Sequence, residues 1–124
     1  MALEPGAART DEFVIEGRLL TDVGGTIGSS VLSTPGMIGM MERTASILAF
    51  ESLPDGSATV GFEVCVKHVA AGLEGQTCTA SATLREVVDG RRLRFEVEVR
   101  AGERILGVGT HERRVIQVGQ LAGS

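Results

Sequence analysis

Large aromatic surface is what this chain has least of: tryptophan and tyrosine are absent, and phenylalanine occurs four times. The core must be assembled from Val, Leu, Ile, Met and Ala, and 124 residues of that composition make a modest interior. Burial of further area in an oligomer is therefore expected. There is no basic run and no aromatic platform, and the net charge is −4. Both devices of nucleic-acid binding, phosphate neutralisation and base stacking, are thus missing. Cysteine is scarce too. Cys65 and Cys78 have no CxxC spacing and no neighbouring His or Cys, which argues against zinc and for a reduced pair. No metal and no cofactor are expected. No stretch approaches the roughly 18 apolar residues of a membrane span, and the N-terminus, with Glu4 and Asp11, has no apolar signal-peptide core. A cytoplasmic protein is expected.

What is present is ordinary in proportion, with 43% hydrophobic and 23% charged residues. It fits a single domain. Residues 1–11 are small and polar and are expected to fray, leaving a domain over 12–118. Glu12 to Leu20 alternates as a half-buried strand. Residues 21–33 hold Gly and Ser without period and read as a long loop. Thr34 can cap a helix and Pro35 suits its first position. Met37, Ile38, Met41, Ala45, Leu48 and Ala49 then recur at helical steps to about Ser52, where Pro54-Asp55-Gly56 stops them. Alternation returns over 58–68, 77–88, 92–100 and 105–118, with Asp89-Gly90 a tight-hairpin signal. One strand, a long loop, one helix and four strands in a meander make an α+β fold, a long helix packed against a five-stranded antiparallel sheet.

Reactive chemistry is sparse, with two histidines in all. Thr34 precedes the helix, Glu42 lies about two turns along it at the margin of its apolar stripe, and His68 ends a strand. A hydroxyl, a carboxylate and an imidazole are the parts for nucleophilic or general-base hydrolysis. Each also has a plainer explanation: a helix cap, a solvated helix carboxylate, a core histidine. His111 fits a structural hydrogen-bonding role. Arg91, Arg92, Arg94 and Arg100 fit a solvated sheet face, with phosphate contact as the alternative. Met37, Met40 and Met41 fit core packing.

Four segments in order narrow the reading: Ser33–Glu42 (STPGMIGMME), Cys65–Ala71 (CVKHVAA), Asp89–Leu93 (DGRRL) and Gly107–Arg113 (GVGTHER). Together they resemble the fluoroacetyl-coenzyme A thioesterase-like branch of the hot-dog superfamily, over about Thr34 to Val118. The resemblance implies a hot-dog fold, and a homodimer whose sheets join with active sites near the interface. It also implies hydrolysis of an acyl-coenzyme A by a catalytic set falling on Thr34, Glu42 and His68. By the same resemblance Gly61 lines the acyl site and Arg113 lies near the coenzyme A end. Amides around Gly36, or Gly61, would stabilise the oxyanion. The fluoroacetyl-specific enzyme carries aromatics upstream of the threonine; residues 21–33 have none, so a different short or medium acyl group is expected. Two rivals remain. One is a non-catalytic acyl-coenzyme A binder or sensor. The other is a hot-dog enoyl-coenzyme A hydratase, for which the Asp-x-x-x-x-His pair is missing.

Overall fold

The computed structural model describes residues 3–122. Strand β1 (Ala8–Val14) is followed by a 3-10 turn (Gly17–Leu19) and two short paired strands, β2 (Leu20–Thr21) and β3 (Val31–Leu32). Helix α1 (Thr34–Phe50) leads to β4 (Ser57–His68), β5 (Thr77–Val88), β6 (Arg92–Ala101) and β7 (Arg104–Gln117). A short helix, α2 (Val118–Ala122), closes the described chain beyond the expected boundary at 118. Among these elements no helix is long and apolar enough to cross a membrane.

Alternation builds the sheet as expected. Cys78, Ala80, Ala82 and Leu84 of β5 and Leu93, Phe95, Val97 and Val99 of β6 are all buried on one face. On β6, Arg94, Glu96, Glu98 and Arg100 take the other face. Helix α1 covers the apolar face with Met37, Met40, Met41, Ala45, Leu48 and Ala49. The β5 alanines allow close approach, and the flexible methionines fill what remains. Each such buried large side chain contributes roughly 1.5–3 kcal/mol. Both cysteines are free, and burial pushes the Cys78 thiol up from its ordinary range.

Three expectations change. First, β1 starts at Ala8, so residues 8–11 pair with β5 rather than fray. Asp11 there accepts the buried Thr44 hydroxyl of α1 at 2.9 Å and is gripped by Arg9. The strand then ends at Val14, and Gly17, at φ 56°, opens the turn that replaces its expected second half. Second, the sheet order is β1-β5-β6-β7-β4, so only β5, β6 and β7 form a meander. Short turns at Asp89–Arg91 and Gly102–Glu103 force neighbours together, and Asp89 and Gly90 take the positive φ values, 56° and 65°, that their hairpin requires. The longer link over 69–76 imposes no adjacency, and β4 lands beside β7 at the far edge.

Third, β4 is not one uninterrupted alternation. Its register on β7 shifts between Gly61 and Glu63, so Phe62 is a bulge. Residues opposite one another share a face. Gly61 shares Arg113 with the buried Leu93, and Val64 shares His111 with the buried Phe95. The bulge thus turns Thr59 and Gly61 toward the helix, and Val64, Val66 and His68 as well; Val60 faces outward. At the open edge Val60, Phe62 and Val64 remain 41%, 59% and 38% exposed.

On the outer face Arg92 and Arg94 lie where expected, yet they converge with Arg114 on one carboxylate, Glu112, only 3% exposed. Burial works against its charge, but hydrogen bonds from Arg114, Arg94 and Arg92 outweigh it and hold this carboxyl below its usual range. Asp11 is held low chiefly by the Arg9 hydrogen bond, against burial, with help from Thr44. Both groups bind protons less readily folded than unfolded. Their contribution is therefore complete above their unfolded values of about 4 and is lost as pH falls through the folded ones. Denaturation midpoints are expected to fall as the pH drops from about 5 toward about 2. Glu112→Gln should start lower and lose less over that range.

Candidate active site

The Ser-Thr-Pro segment offers two cap residues, and Ser33 takes the role expected of Thr34. Its extended backbone, at φ −76° and ψ 153°, brings its hydroxyl under the Gly36 amide at 2.9 Å. Thr34 is then the first helical residue, exposed, its hydroxyl free for other work. That hydroxyl lies 2.9 Å from Nδ1 of His68, at the end of β4. With the O–H donating, Nδ1 accepts and the neutral ring carries its proton on Nε2. Nε2 is buried and has no hydrogen-bond partner among the described residues. His68 pairs with Gly107, where a Cβ would sit 2.2 Å from the sulfur of Met37, so this crossing of helix and strand is tightly filled.

Beside this pair opens a cavity of about 410 Å³, lined by Thr21, Val23, Val31, Leu32, Val69, Ala70 and Ala71 as well as Thr34 and His68. Aliphatic side chains make up most of its wall and Thr21, Ser33, Thr34 and His68 the polar part, with Val23 and nearby Leu73 half-exposed. The amides of the first helical turn are mostly spent. Pro35 has none, Gly36 donates to Ser33 Oγ and Met37 to Ser33 O. Gly36 also packs tightly, since a Cβ there would lie 2.8 Å from Ser33 Oγ and 3.0 Å from Leu19 O. It therefore serves the cap rather than an oxyanion, and Thr34 N–H is the amide of that turn the cap leaves over.

Glu42 does not join Thr34 and His68 within the protomer. It stands about 12 Å further along the helix, half-buried, with Oε2 3.8 Å from Nη1 of Arg113. Gly61 makes room for it: a Cβ there would come within 2.8 Å of Glu42 Oε2. Arg113 points inward and is 7% exposed. Its Nε donates to Thr59 Oγ1 at 2.7 Å, Nη2 to the Thr59 carbonyl at 2.9 Å and Nη1 to His111 Nε2 at 3.1 Å. Burial lowers its affinity for the proton, and Glu42 opposes that. The seven residues thus fall into two groups along the seam between α1 and β4: Thr34 with His68, and Glu42 with Gly61, Arg113, His111 and Thr59. Thr59 carried no sequence signal, because its inward direction depends on the Phe62 bulge.

Solved structures define the class. A hot-dog-like protein from Thermanaerovibrio acidaminovorans superposes with a TM-score of 0.85 at 21% identity, covering 96% of this chain and 87% of that one, a likeness of fold. The fluoroacetyl-coenzyme A thioesterase FlK superposes at 0.88 with 30% identity, covering 99% and 95%. An FlK variant in complex with fluoroacetate and coenzyme A gives 0.86 at 31% identity, covering 96% and 99%. These define a hot-dog fold of the thioesterase kind. The fluoroacetyl-coenzyme A thioesterase of Streptantibioticus cattleyicolor is 40% identical over 88 residues, 71% of this chain. That match spans 63% of the relative's length. The family model for the fluoroacetyl-coenzyme A-specific thioesterase FlK matches residues 15–119, and the chain belongs to this thioester hydrolase family.

Proposed function

We propose that the protein hydrolyses the thioester of a short or medium aliphatic acyl-coenzyme A, giving the free acid and the coenzyme A thiol. The observation that carries this reading is the Thr34–His68 hydrogen bond at 2.9 Å, opening on a cavity walled mostly by aliphatic side chains. His68 Nδ1 takes the proton of Thr34, or of a water held by it, as the oxygen attacks the carbonyl. Thr34 N–H lies beside the oxyanion that develops. The proton on His68 then passes to the departing thiolate; where Thr34 or Glu42 is the nucleophile, a water then cleaves the acyl ester or anhydride left on the enzyme, releasing the free acid and restoring the side chain. Glu42, which does not reach this pair within one protomer, would act across the homodimer proposed below, where it either stabilises the charged state or attacks the carbonyl itself to give an anhydride. The cavity's lack of aromatic side chains supports an aliphatic acyl group, with fluoroacetyl itself one arm of the test.

Family and surface support a homodimer joined along the open edge of β4. Exposed Val60, Phe62 and Val64 would be covered there, and unpaired edge groups would find partners. His68 Nε2, buried and without a partner among the described residues, fits a site that a second subunit or the substrate completes.

The test is release of free thiol from a panel running from acetyl- and fluoroacetyl- to octanoyl-coenzyme A. Turnover that collapses in His68→Ala supports the hydrolase. Binding with no turnover assigns the protein to acyl-coenzyme A sensing and ends this reading. Single turnover in oxygen-18 water then separates the routes, since label in Glu42 requires attack by that carboxylate.

A further inference from the structure

His111 faces the same seam as Glu42 but plays no part in the chemistry above. It is 2% exposed, and its two ring nitrogens have opposite duties. Nδ1–H donates to the Glu63 carbonyl at 2.7 Å, which fixes the tautomer and leaves Nε2 as an acceptor. Into Nε2 donates Nη1 of Arg113, the same nitrogen that stands 3.8 Å from Glu42 Oε2. Thr59 holds the other side of the guanidinium with its hydroxyl and carbonyl oxygens. A buried arginine held on both sides cannot follow Glu42; Glu42 must come to it. We propose that His111 is a positioning residue, an acceptor that clamps Arg113 so that Glu42 is aimed for thioester hydrolysis.

The surroundings agree. The charged groups facing the ring are Arg113 from its own strand and Glu42 from α1; β4 offers the Glu63 carbonyl and β6 the ring of Phe95, its centroid 6.5 Å away. Burial pushes the imidazole below its ordinary value, against the Glu63 carbonyl, and Arg113 adds to the lowering. Protonation would set an imidazolium against the guanidinium and remove the acceptor that holds it. Gly61 belongs to the same device, since only a residue without Cβ lets the carboxylate reach the clamp.

The inference rests on the hydrolase reading, and its test keeps the two apart. His111→Phe preserves the ring's bulk and removes both nitrogens; His111→Gln restores an acceptor for Arg113. Expected for His111→Phe is a fall in kcat of roughly ten- to a hundredfold with KM within about threefold, mostly recovered in His111→Gln. In a Glu42→Gln background, His111→Phe should cost nothing further, because its effect runs through that carboxylate. An undiminished loss in that background, or none in the wild-type background, overturns the inference and leaves the hydrolase reading standing. A wild type without turnover ends both. Should His111→Phe not fold, nitrogen-15 spectra of the wild-type ring decide: a Nδ1-protonated, Nε2-accepting ring at neutral pH supports the clamp, and any other state overturns it.

Discussion

His68→Ala is expected to lower kcat by about three orders of magnitude while KM moves only a few-fold, the range for losing a general base. Among the described residues the imidazole has one partner, the Thr34 hydroxyl at 2.9 Å, and its other nitrogen is buried without one. A core histidine kept for packing has both nitrogens satisfied, because an unpaired buried donor costs roughly 1–3 kcal/mol. His68 tolerates that cost, which fits a group whose second partner arrives with substrate or subunit. The fold should survive the change, since His68 ends β4 and its backbone pairing with Gly107 is untouched. The check is steady-state hydrolysis beside thermal unfolding, with added imidazole restoring part of the rate to the alanine variant. Unchanged turnover in a folded His68→Ala protein would remove the imidazole from the mechanism. Thr34→Val should fall nearly as far if the hydroxyl attacks, and much less if it only holds a water.

Local physics in the sequence reached most of the elements and few of their relations. Strand β5 starts and ends where its alternation does, at Thr77 and Val88, and the Asp89-Gly90 turn has the backbone its residue types require. Hot-dog architecture followed from the order of elements and from four segments that read together. Pairing was not legible. Alternation states that a strand has two faces, but β5 and β4 alternate alike and only long-range packing sends one beside β1 and the other beside β7. The Phe62 bulge was equally hidden, although it decides which way Thr59, Gly61 and His68 point. Capping was ambiguous because Ser33 and Thr34 are both good caps and one residue of phase settles which. For the site, residue types named Thr34, Glu42 and His68. The split into two groups came from helix rise, and the Arg113 clamp from a bulge no pattern announces.

Glu42→Gln should lose about as much as His68→Ala, roughly a thousandfold in kcat, whether the carboxylate attacks or stabilises charge, since the amide can do neither. The substitution keeps size and hydrogen-bonding atoms but leaves the guanidinium of Arg113, 7% exposed, without the carboxylate beside it. A drop in stability is therefore expected together with the rate, and a mutual rescue is not. Gly61→Ala separates the two effects. The added methyl would meet Glu42 Oε2 at 2.8 Å while staying 3.6 Å from Arg113 Nη1 and from His111, so the carboxylate must swing away and the clamp stays intact. Gly61 has an ordinary negative φ, so the backbone accepts alanine without strain. Charge is conserved; only the direction of Glu42 changes. A displacement of about 1 Å is expected to cost on the order of a hundredfold in kcat, with the melting temperature altered far less than in Glu42→Gln. If Gly61→Ala instead turns over normally, Glu42 does its work from more than one position, and the close fit of strand, carboxylate and guanidinium has no part in the rate.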